Sequence, residues 1–168
     1  MKKKNQTVAF MGLCTALALI LAYVEAQIPS LVPSIPGIKM GLPNIIIVFL
    51  LYRRNAVSAM GVSIVRIILV SMLFGNTMSF LYSLAGGVLS LLVMIILRRL
   101  NFLSEVGVSV AGGVTHNAGQ ILMAMLLLDT SELGYYMVIL TVTGTISGIL
   151  IGLCGSFMVK KIPHNIFL

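Results

Sequence analysis

"VAFMGLCTALALILAYVE", Val8 to Glu25, is an apolar run with a single charge at its far end, and comparable runs recur along the chain. Roughly 18–20 consecutive apolar residues cross the hydrocarbon of a bilayer as a helix. Lipid offers the backbone no hydrogen-bond partner, so segments that cross it regularly are helical. The chain carries 11 basic and 4 acidic residues among 168, too few to give a soluble domain of that length a charged shell. These runs define an all-α integral membrane protein.

Hydropathy and punctuation place six spans, at Val8–Glu25, Leu42–Tyr52, Ala56–Phe74, Thr77–Leu97, Val106–Leu128 and Tyr135–Val159. They predict a single transmembrane domain over residues 1–168, a six-transmembrane-helix bundle. The net charge of +7 comes from short basic clusters. Lys2–Lys4, Arg53, Arg54, Arg98, Arg99, Lys160 and Lys161 fall on one side of that topology. Lys39, Asp129 and Glu132 fall on the other. By the positive-inside rule both termini are cytoplasmic, in a multi-pass protein of the cell membrane. No aromatic-rich basic surface is left for nucleic acid. Cleavage after Ala26, as in a signal peptide, is the competing reading of the first span; its apolar run exceeds a usual h-region.

The link "QIPSLVPSIPGIKMGLPN", Gln27 to Asn44, holds four prolines and two glycines, which forbid a continuous helix. It is too apolar for a comfortable solvated loop. We expect residues 27–41 to fold back over the outer mouth of the bundle as a lid-like segment; the alternative is a connector on the membrane surface. The second span is short, which favours the lid.

Polar residues inside spans are the candidate site. Arg66 lies mid-span in "VSIVRIILV". An arginine at the centre of a membrane helix costs about 2.5–3.5 kcal/mol even on insertion scales, so it should face the bundle interior or a cavity. His116 and Gln120 are four apart and share a helical face, with Asn117 to the side. All three both donate and accept hydrogen bonds, which suits a polar ligand group. Interhelical bonding is the alternative for each, at about 0.6–2 kcal/mol per contact. Asn44, Asn76, Ser79 and Ser83 add polar groups in the outer half. Lys39 is the one basic group outside, either reaching an anionic ligand or simply solvated. The expected ligand is polar or anionic.

Small residues form a second pattern. Gly144, Gly148 and Gly152 give overlapping GxxxG steps, Ala18 and Ala22 give AxxxA, and Gly86, Gly87 and Ser90 form a small patch. Such stripes let helix backbones approach closely. We read the glycines as packing within the chain and Ala18 and Ala22 as a contact with another subunit. Cys14 and Cys154 lie within spans with no CxxC spacing, so no metal site is expected. The acidic residues Glu25, Glu105, Asp129 and Glu132 supply no DDxxD pair for magnesium and diphosphate, and no P-loop or HExxH occurs. We expect no catalytic residue and no cofactor.

"PGIKMGLPNIIIV", "VRIILVSMLFGNTMSFLYSLAGGVLS" and "GGVTHNAGQILMA", in that order, resemble the Gx transporter family, whose members are often called heptaprenyl diphosphate synthase component I. That family in turn is similar to the S-components of energy-coupling factor transporters. The resemblance implies a six-helix fold and a role as substrate-binding subunit of an ATP-driven importer, with a coupling subunit and two ATPases as partners. It also implies a site under the loop between spans one and two, and an AxxxA coupling contact at Ala18 and Ala22. Pro43 departs from the family's pattern, where a small residue is expected. A different role within the same resemblance is a non-catalytic membrane subunit that assembles or anchors prenyl-quinone or flavin-based electron-transfer enzymes. Heptaprenyl diphosphate synthase activity of the chain itself is not expected, since the aspartate-rich motifs are missing.

Overall fold

The computed structural model describes residues 2–28 and 41–163. They form six α-helices: α1 (Lys2–Gln27), α2 (Asn44–Arg53), α3 (Ala56–Phe74), α4 (Thr77–Leu100), α5 (Glu105–Leu128) and α6 (Met137–Lys161). A 3₁₀ turn, Glu132–Tyr136, leads into α6, and no strand occurs among the described residues.

Local chemistry sets the ends. Asn55, Asn76 and Ser104 stand just before α3, α4 and α5, and each side chain accepts from a backbone N–H three residues on. Asn101 and Asp129 close α4 and α5 with φ of 56° and 48°, a left-handed conformation that short polar side chains tolerate.

The segments Asn5–Gln27, Ala56–Leu73, Thr77–Leu100 and Glu132–Lys161 are long and apolar enough to cross a membrane. Leu13, Ile20, Met72, Ile96, Ile146 and Leu153 on these helices are exposed, the lipid-facing surface of a membrane protein. The other two helices differ. α5 has the length, with 24 residues, but is interrupted by His116, Asn117 and Gln120. α2 has only 10 residues, about 15 Å of helix. Ile46 through Leu51 are all buried, so α2 is enclosed on every side. It packs against α1, α3, α5 and α6 and forms the centre of the main apolar core.

One end of the bundle is tied by its basic residues. The Arg53 guanidinium donates to the backbone carbonyls of Val159 and Ile162, closing the C-terminal end of α6. Arg54 donates to Thr7 Oγ1 at 2.9 Å and lies over the Phe10 ring. Arg98 lies 5.4 Å from the centroid of Tyr52. The basic residues grouped by sequence on one side therefore share one end of the fold.

The most extensive helix pairings are α5 with α6 and α4 with α5. They are glycine seams. A Cβ at Gly148 would sit 2.6 Å from Val110 Cα, and one at Gly152 would sit 2.7 Å from Val106 Cα. At the other face of α5, a Cβ on Gly119 would sit 2.9 Å from Gly86 Cα. Backbones in such contact leave no room for a methyl group. Ser90 Oγ adds a bond to the Gly112 carbonyl at 2.8 Å.

The alanine stripe on α1 is buried. Ala18 is fully buried and Ala22 is 7% exposed, on the α1 face that carries buried Cys14 and Glu25. The two alanines are thus packed within the chain. A small-residue stripe reads the same for either contact.

Gly148→Ala should push α5 and α6 apart and destabilise the protein by about 1–3 kcal/mol, the usual cost of overpacking. Gly12→Ala, where nothing lies within 4 Å of the new methyl, is the control. Equal unfolding midpoints for the two variants in detergent would refute the seam.

Candidate functional site

The six helices leave a polar cavity at the end opposite the arginine cluster. Its volume is about 100 Å³, and α1 through α5 all contribute to its wall. Glu25 and Ala26 come from the last turn of α1, and Asn44 from the first turn of α2. Arg66 and Ser71 come from α3, Ser79 and Ser83 from the start of α4, and His116 and Gln120 from α5.

Helix register explains the α5 contribution. His116 and Gln120, four residues apart, both face the cavity. Asn117 is a step of about 100° further round. It points to α6, where its Nδ2 donates to the Leu140 carbonyl at 2.7 Å. Of the three adjacent polar residues, two line the cavity and one bonds helices together. His116 also seats against α4, since its carbonyl oxygen lies 2.6 Å from where a Cβ of Gly86 would be.

Arg66 is the cavity's cation. Its Nη2 donates to Asn44 Oδ1 at 3.3 Å, a long bond, while its buried Nε has no partner. The Glu25 carboxylate lies within electrostatic reach of the guanidinium and also accepts from the backbone N–H of Gly41. His116 is close enough to feel the same guanidinium; its ring lies against the Gly86 backbone, and its buried Nδ1 makes no well-formed hydrogen bond. Gly41 holds a φ of +76°, which only glycine adopts without strain, and a Cβ there would press on Asn44 Nδ2 at 3.0 Å. The wall thus presents a cation, a carboxylate, an imidazole and two amides within an otherwise apolar bundle.

The remaining sequence candidates fall elsewhere. Asn76 caps α4 through Ser79 N at 2.8 Å and is exposed beside the cavity. Lys39 and residues 29–40 of the expected lid lie outside the described residues. Glu25 is the cavity residue that the sequence reading passed over. A lone acid near the end of a span looks like an ordinary helix terminus, and its neighbours Gly41 and Arg66 are distant in sequence. No group of three or more His, Cys, Asp or Glu that could hold a metal occurs among the described residues.

Fold and cavity together define a helical membrane protein with a polar cavity inside the bundle. Residues 14–158 match the family model described as heptaprenyl diphosphate synthase component I, and the chain belongs to that family. No curated protein and no solved structure matches it.

The division of labour on α5 is measurable. Asn117→Ala should lower stability by about 0.6–2 kcal/mol, the worth of an interhelical bond in a membrane. Gln120→Ala, a cavity substitution, should cost less. Unfolding titrations in mixed micelles compare the two, and a larger loss for Gln120→Ala counts against the assignment.

Proposed function

We propose that the protein crosses the cell membrane six times, with both termini cytoplasmic, and captures a small polar or anionic molecule in the cavity from the outer side. In this reading it is the substrate-binding subunit of an ATP-driven importer of the energy-coupling factor type. A coupling subunit and two ATPases supply the energy, because the chain has no nucleotide-binding loop of its own. The observation that carries the reading is the pair of buried nitrogens without a well-formed hydrogen bond, Arg66 Nε and His116 Nδ1, at one cavity. Buried polar groups are normally hydrogen-bonded, and such a pair at a shared cavity suits a ligand that supplies the missing bonds. An anionic or hydrogen-bond-accepting group satisfies the arginine, and the imidazole can donate or accept. The position of the basic end supports the orientation, since the cavity lies opposite Arg53, Arg54 and Arg98.

A second reading is favoured by the family description itself, which names a component of a synthase. There the chain is a non-catalytic membrane subunit that assembles or anchors a prenyl-quinone or electron-transfer enzyme made of other subunits.

Native mass spectrometry of the protein purified from its own membranes separates the two. Import predicts a co-purifying small molecule that is lost in His116→Ala and Gln120→Ala while the melting temperature stays within a few degrees. It also predicts that ATPase subunits are recovered with the wild type. A protein that carries no small molecule but emerges with a stoichiometric synthase subunit establishes the second reading instead.

A further inference from the structure

A second cavity, of about 160 Å³, lies between α3 and α4 and is lined almost wholly by apolar groups. Ile64 and Ile67 of α3 face Gly87, Val88, Leu91 and Leu92 of α4 across it. Ile67 lines both this groove and the polar cavity. The two follow one another along the same pair of helices. On α3 the groove takes Met60 to Ile67 and the polar cavity takes Arg66 to Ser71. On α4 the polar cavity takes Ser79 and Ser83, and the groove continues at Gly87. Together the two cavities follow α3 from Met60 to Ser71, twelve residues and about 18 Å of helix.

Two features shape the groove. Gly87 has no side chain, so Ile67 Cδ1 packs directly onto its backbone, 2.6 Å from where a Cβ would be, and Ile67 stands between the groove and the polar cavity. The groove also has a lateral mouth, because Val88 is 42% exposed and Leu92 47% exposed on the lipid-facing side. A wholly polar ligand has no use for such an extension. A chain of hydrocarbon does, and it can enter from the bilayer.

The geometry points to an amphiphile as the ligand: an anionic head among Arg66, His116 and Gln120, and an apolar chain passing Ile67 into the α3–α4 groove. This inference rests on the capture reading above and narrows its substrate class.

The test uses the full chain in phosphatidylcholine nanodiscs, with ethyl, hexyl and dodecyl phosphate as probes and native mass spectrometry as the readout of occupancy. Wild type should bind the longer phosphates more tightly than ethyl phosphate. Val88→Phe and Gly87→Leu, which fill the groove, should weaken dodecyl phosphate by about tenfold, the loss of roughly two buried methylenes. They should leave ethyl phosphate unchanged. His116→Ala should weaken all three. Val88 sits on the lipid-facing rim, so its variant decides the question if Gly87→Leu does not fold. Binding that depends on His116 but not on chain length, or that ignores Val88→Phe, overturns the amphiphile and leaves capture of a small polar ligand standing. Absence of any His116-dependent binding overturns both.

Discussion

The placement of α5 between α4 and α6 is the contact on which the other features rest. Between helices in lipid there is no hydrophobic drive to associate, because the surrounding chains are as apolar as leucine. Dispersion between closely approaching backbones and a few hydrogen bonds must supply the attraction. Gly86 against Gly119 on one side of α5, and Gly148 and Gly152 against Val110 and Val106 on the other, provide that approach. Ser90 to the Gly112 carbonyl and Asn117 to the Leu140 carbonyl add bonds along the same seams. Flanked in this way, α5 can carry three strongly polar side chains that a lipid-exposed helix could hold only at high cost.

The same arrangement makes Arg66 tolerable. A guanidinium in the middle of α3 is turned inward, toward Asn44 and the Glu25 carboxylate. Glu25 in turn accepts from Gly41, so the end of α1 and the start of α2 meet at the charge they help to balance. The compensation is partial: the Arg66 Nε and His116 Nδ1 make no well-formed hydrogen bond. Removing either neighbour of a buried charge is costlier than the bond it makes, because the charge is left behind. The cavity's charges and the junction between α1 and α2 therefore share one set of contacts.

Much of this was legible in the sequence, for reasons that differ by residue. Span length and polar punctuation located all six helices. The four-residue spacing of His116 and Gln120 predicted a shared face, and both line the cavity with Arg66 and Asn44. Asn117 illustrates the limit, since adjacency in sequence placed it with them while helical rotation directs it to α6. The direction of the Ala18–Ala22 stripe was not legible either. Small residues at that spacing signal a close neighbour without saying whose, and in the fold both alanines are buried within the chain. Glu25 needed the tertiary fold, because its significance comes from Gly41 and Arg66.

The family description and the cavity constrain one another. Diphosphate chemistry of the prenyl-transfer kind relies on clustered carboxylates that hold magnesium. The four acids here are dispersed: Glu25 at the cavity, Glu105 in the first turn of α5, Asp129 at its far end and Glu132 in the turn that follows. A site of that kind would have to be completed by another subunit. What the chain does hold is a cationic, hydrogen-bonding cavity that shares Ile67 with an apolar groove. Such a pair is suited to holding a molecule, with a charged end and a greasy end kept apart by the same residue. The import reading requires a membrane subunit that binds a small molecule before its partners act, and the synthase-component reading requires one that holds a partner enzyme at the membrane. They diverge in whether the cavity carries a ligand at all, and the residues that settle the class of that ligand are those around Ile67.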